Sequence, residues 1–150
     1  MRLVIDVELQ EPRLFPYTVI IHAGSNDLGN HRNADPAEVA ENIIAIGRNC
    51  NDCGVKKIMI SSITPRQYVE RRRRATNNHL KDLCIEYGFT YIDNSNIKFS
   101  DLCEDKIHLG AEGLRMIEDN YLYYLNERDI LDHSEDKYSV VDAVSDTDSQ

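Results

Sequence analysis

Residues 17–23, Tyr-Thr-Val-Ile-Ile-His-Ala, form a nearly continuous apolar run that ends at Gly24. A run this short and this rich in β-branched residues reads as a strand covered on both faces, as in the middle of a parallel sheet. Such a strand needs helices above and below it, and parallel neighbours need long crossover connections. The chain supplies both. Residues 55–63, Val-Lys-Lys-Ile-Met-Ile-Ser-Ser-Ile, read as a second strand closed by Pro65, and residues 89–93, Phe-Thr-Tyr-Ile-Asp, as a third.

Helical segments separate these runs. Asp35 is a good N-cap, Pro36 suits the first helical position, and Glu38 completes the pattern of a capping box. Val39, Ile43, Ile46 and Cys50 then recur on one helical face, and Gly54 is a natural stop. A second helix is expected over about 66–87, ended by Gly88, and a last one over about 111–126, with Leu114, Ile117, Tyr121, Tyr124 and Leu125 at helical spacing. Strand and helix in alternation imply right-handed crossovers. The expected fold is α/β, a three-layer α/β/α arrangement around a small parallel sheet, flavodoxin-like.

The remaining segments divide the chain. Residues 1–16 alternate weakly and then meet Pro12 and Pro16, as an edge strand or lead-in would. Residues 17–126 are the expected domain. Residues 127–150 hold eight acids and two bases, so they carry −6 of the net −9 of the 150-residue chain. Their fading apolar pattern predicts a disordered acidic tail. This balance argues against a general nucleic-acid binder. No apolar run is long enough for a membrane span, and the acidic N-terminus has no signal-peptide core, so an intracellular, cytoplasmic protein is expected.

Two polar motifs stand where an open α/β sheet places ligands, beyond the strands' carboxyl ends. Gly24-Ser25-Asn26-Asp27 follows the first strand. Asp105-Lys106-Ile107-His108 precedes the last helix. In this order and context the pair resembles the SGNH (GDSL-like) hydrolase family over roughly residues 17–126. The turn resembles the Gly-x-Asn-Asp block and the later segment the Asp-x-x-His block. Asn94-Ser95-Asn96 also resembles strings in mobile-element-associated members.

The resemblance implies cleavage of a small carboxylic ester. His108 resembles the base and Asp105 the carboxylate that orients its imidazole. Asn26 resembles an oxyanion donor, and Gly24 lets the backbone approach the substrate. Asp27 is expected to hold the turn. No metal or cofactor is implied. The family's Gly-Asp-Ser block, which carries the nucleophile, has no counterpart. Residues 1–24 contain no Ser or Cys, and Thr18 lies within the strand. The chain therefore reads as N-terminally truncated relative to the family. Ser25, Ser61 and Ser62 are the candidates left to inspect. The function expected is an esterase-like domain, impaired or inactive as it stands. The alternatives are a non-catalytic SGNH-like binding domain of mobile-element derivation, or an interaction module using the basic helix and acidic tail.

Other features have plainer readings. His22 reads as a hydrogen-bonded core or cleft-edge residue. Cys50-x-x-Cys53 reads as packing plus an exposed thiol rather than a zinc or redox pair. Arg71–Arg74 reads as a solvated helix face.

Overall fold

The computed structural model describes residues 16–129 and 138–142 of the chain, with side chains for 16–126. The strands are β1 (Thr18–His22), β2 (Lys57–Ser61), β3 (Thr90–Ile92) and β4 (Tyr138–Asp142). The helices are α1 (Ser25–Asn30), α2 (Pro36–Asp52), α3 (Glu70–Tyr87) and α4 (Ala111–Asp129). One four-stranded sheet runs β3-β2-β1-β4, and every pairing is parallel. The register sets His22 beside Ser61 on one side and beside Asp142 on the other. All carboxyl ends therefore meet at one edge.

Side chains alternate across β1 as strand geometry requires. Val19 and Ile21 join the core beneath α2 and α3, with Ile43, Ile46, Ile58, Ile60 and Leu80. Ile20 faces the opposite side, with Met59 and Ile92, against Tyr121, Tyr124 and Leu125 of α4. Both faces of β1 are dry, and the layers are helix, sheet, helix. The expected α/β architecture is the observed one.

Local chemistry sets the element ends. Asp35 Oδ1 accepts the Ala37 N–H at 3.1 Å, with Pro36 at the first helical position of α2. Gly88 ends α3 in a left-handed conformation. The start of α3 lies four residues later than the periodicity suggests. Residues 62–69 are held instead by its first turn, where a Glu70 carboxylate oxygen accepts the Arg66 N–H at 3.1 Å. Asn77 brackets Ile63, accepting its N–H at 2.8 Å and donating to its carbonyl at 3.0 Å.

Two expectations are corrected. The segment read as the Gly24–Asp27 turn continues into a helix, so residues 25–30 form α1. Leu28 anchors it, fully buried, with its N–H on the Gly24 carbonyl at 3.1 Å. Within the tail expected to be disordered, residues 138–142 form β4, the partner on β1's second edge. A central strand needs backbone partners on both sides, and Val140 and Val141 make this the β-prone part of the tail. The expected lead-in at residues 1–16 lies, but for Pro16, outside the described residues, as does most of the tail.

Thr18 is 1% exposed, and its hydroxyl has no hydrogen-bond partner among the described residues. A buried hydroxyl without a partner costs stability. Thr18→Val, which keeps the shape, is expected to raise the urea unfolding free energy by about 1–2 kcal/mol. A loss of stability would mean that the hydroxyl is bonded.

Candidate active site

Gly24 opens the first motif with φ of +103°. A Cβ at this position would lie 2.8 Å from Ile63 Cδ1 and 2.9 Å from Ile43 Cδ1. The glycine is thus required from the core side: the chain turns sharply out of β1 directly over packed isoleucines. Asn26 emerges exposed on the first turn of α1.

A residue that no motif marks holds this turn. Arg66 is 8% exposed. Its Nη1 donates to Asn26 Oδ1 at 3.0 Å, to the Ser25 carbonyl at 3.1 Å and, at 3.5 Å, to Ser25 Oγ. Gly29 makes the approach possible, because a Cβ there would meet Arg66 Cζ at 2.1 Å. Fixing Oδ1 fixes the amide plane, and Asn26 Nδ2 makes no hydrogen bond among the described residues. An arginine after a strand gives no sequence signal. Its partners lie forty and forty-one positions away.

The second motif closes on itself. Leu102 and Leu109 form an antiparallel bridge, and the Cys103 N–H reaches the His108 carbonyl at 2.7 Å. Inside this loop Asp105 Oδ1 accepts the N–H groups of Ile107 at 2.9 Å and His108 at 3.0 Å. Asp105 Oδ2 meets His108 Nδ1 at 2.5 Å. The His108 contact, then the N–H bonds from His108 and Ile107, lower the Asp105 carboxyl to about 2. The His108 side chain is 76% exposed and that of Asp105 43%, so the pair meets solvent freely.

Consecutive residues tether the two motifs. Arg66 grips Asn26, while the Gln67 N–H donates to the Lys106 carbonyl at 2.9 Å. Tyr68 and Lys106, on either side of this contact, both hold left-handed backbone, with φ of +68° and +57°. Bulky residues adopt that conformation only when their surroundings impose it.

The candidate hydroxyls are less available. Ser61 and Ser62 are 1% and 3% exposed. Ser61 Oγ accepts from Asn94 Nδ2 and the Tyr121 hydroxyl, each at 2.8 Å, and lies 3.0 Å from His22 Nδ1. Three polar neighbours thus surround the Ser61 hydroxyl. His22 is thus the hydrogen-bonded edge residue its place in the strand suggested. Ser62 Oγ accepts the Asn94 N–H at 2.9 Å, and Asn94 Nδ2 also donates to the Ser62 carbonyl at 2.8 Å. Asn120 of α4 closes the network onto Asn94 Oδ1 at 3.0 Å. This polar hub ties β1, β2, the loop after β3 and α4 together. Ser25 is half-buried beside Arg66.

Of the thiols, only Cys103 lies in the His108 loop. Cys50 is buried and Cys53 exposed, and Cys103 donates its thiol hydrogen to the Leu109 carbonyl at 3.4 Å. Among the described residues no group of three metal-ligating side chains occurs. No described helix is long and apolar enough to cross a membrane.

No protein-family model matches the chain, and no curated protein sequence does. Solved structures do. A GDSL-like lipase from Bacteroides thetaiotaomicron VPI-5482 superposes with a TM-score of 0.67 at 15% identity, over 79% of this chain and 69% of that one. A candidate acylhydrolase from Bacteroides fragilis NCTC 9343 gives 0.64 at 17% identity, over 79% and 68%. An alpha/beta hydrolase enzyme from the metagenome of Lake Arreo, Spain, gives 0.57 at 16%, over 74% of this chain and 60% of that one. The fold is thus that of GDSL-like (SGNH) hydrolases.

Two measurements check the site. In a carboxyl-carbon NMR titration, Asp105 is expected to keep its charge down to a midpoint near 2, and His108→Ala to move that midpoint up toward the ordinary 3.8. The depressed value means that whatever this carboxylate adds to folding is fully present above pH 3.8 and is lost as the pH falls toward 2. Arg66→Ala is expected to lower stability by about 1–3 kcal/mol and to speed amide exchange at Leu28. Unchanged exchange would show that the turn does not depend on Arg66.

Proposed function

We propose that this chain is an SGNH-type, esterase-like domain, and that its cleft receives a carboxylic ester between the Gly24–Asp27 turn and His108. The Asp105–His108 contact is the observation that carries the reading. Asp105 occupies Nδ1, which leaves Nε2 of an exposed imidazole to take a proton from an attacking hydroxyl and pass it to the departing alcohol. Asp105 stays ionised throughout, with its carboxyl lowered to about 2. Asn26 Nδ2 donates to the carbonyl oxygen as it gains negative charge. Losing one such donor costs about 100- to 1000-fold in rate. Likeness of fold to a GDSL-like lipase at 15% identity agrees with this chemistry.

Turnover is proposed to be impaired in the chain as it stands. Thr18, Ser61 and Ser62 are all at least 95% buried, and Ser61 and Ser62 are committed to the polar hub. That burial also favours the second reading, a non-catalytic domain that binds a ligand through the same cleft. Hydrolysis of p-nitrophenyl acetate separates the two. Slow, saturable cleavage that disappears in both His108→Ala and Asn26→Ala supports the impaired esterase. Release equal to that of the variants leaves only the binding role. Fluorophosphonate labelling with peptide mapping names any serine that acts as nucleophile, Ser25 being the half-buried candidate.

A further inference from the structure

A groove of about 610 Å³ lies between α3 and the segment that follows β3, lined by Ser62 but by neither Asn26 nor His108. Its cations come from the arginine run and from across the gap. The run divides by contact. Arg72 Nη1 donates to the His31 carbonyl at 2.7 Å. Arg73 grips Glu70 through two bonds, at 2.8 and 2.6 Å, and the Ile63 carbonyl through a third at 3.1 Å. Both are structural. Arg71 is exposed and does not line the groove, whereas Arg74, with Asn78 and Lys81, forms a stripe at i, i+4 and i+7 on one face of α3. All three line the groove, exposed, and make no hydrogen bond or ion pair among the described residues. On the opposite wall, Lys98 Nζ uses one hydrogen, on the Ser95 carbonyl at 2.6 Å.

Two carboxylates face the same space. Glu70 is already neutralised by Arg73, and the Arg74 charge also acts on it. Asp93 accepts the Ser95 N–H at 2.8 Å. Arg74, Lys81 and Lys98 therefore face one uncompensated carboxylate, on a chain whose net charge is −9. Phe99, 40% exposed, stands at the lip. A guanidinium fork and two ammonium groups around one cavity suit a ligand with several closely spaced anionic oxygens. The volume suits a small molecule.

We infer that this groove binds a small diphosphate-bearing molecule, with Arg74, Lys81 and Lys98 on the phosphates and Phe99 against a planar ring of the same ligand.

Titration of the isotope-labelled full chain with inorganic pyrophosphate and with ADP, at constant ionic strength, tests it. Saturable NMR shifts at Asn78, Lys98 and Ser100 are expected. Arg74→Ala/Lys81→Ala should weaken both probes by roughly tenfold or more. Circular dichroism checks that this variant folds. Asp93→Asn keeps the acceptor for Ser95 while removing the repulsive charge, and should tighten both probes severalfold. No saturation up to about 10 mM, or equal affinity in the double variant, overturns the site. ADP binding no tighter than pyrophosphate overturns the stacking role of Phe99.

Discussion

The structure depends on β1 being a strand without a wet side. Its faces are covered by α2 and α3 on one side and by α4 on the other, and its edges pair with β2 and β4. A strand so enclosed has parallel neighbours, and parallel neighbours bring all their carboxyl ends to one edge. Gly24, Ser61 and the loop from Asp93 emerge there because the register leaves them no other place. The candidate site is a consequence of that constraint. Polar loops gather where the chain leaves the sheet, and the buried runs beneath them keep the edge rigid.

Two polar assemblies organise this edge, and they differ in exposure. The hub of Ser61, Ser62, Asn94 and His22 is largely inside, where an unmade hydrogen bond costs more than a made one gains. Nearly every donor and acceptor in it is matched, so it acts as a fastening. The Asp105–His108 pair is outside, in water that screens it, and contributes little to holding the fold. Its value is chemical: a carboxylate that stays charged and an imidazole with one nitrogen held. Arg66 and Gln67 connect the two regimes. Arg66 is buried and reaches outward to Asn26, and the next residue ties down the loop that carries His108.

Much of the fold was legible because it follows from local periodicity. The β-branched runs at 17–23 and 55–63, the Asp35-Pro36 start of α2 and the Gly88 stop of α3 each record short-range physics. The misreadings share a cause. Residues 138–142 look like polar tail because only two valines speak for a strand, and what recruits them is the open edge of β1, more than a hundred residues away. Residues 25–30 look like a turn because Gly and Asn dominate them. The burial of Leu28, a tertiary contact, winds them into α1. Ser61 and Ser62 were candidate nucleophiles by position, and only the packed structure shows their hydroxyls already engaged.

The sequence by itself determined the alternation of strands and helices, the end of the first strand at Gly24 and the three-residue spacing of Asp105 and His108. Each of these closes within a few residues, where side-chain type and spacing suffice. Tertiary structure alone decided that Arg66 orients Asn26, that Asn94 and His22 consume the Ser61 hydroxyl, and that Arg74, Asn78 and Lys81 face Lys98 across a groove. These contacts join parts of the chain brought together only when the crossovers stack the layers. No local pattern encodes a neighbour supplied by another layer.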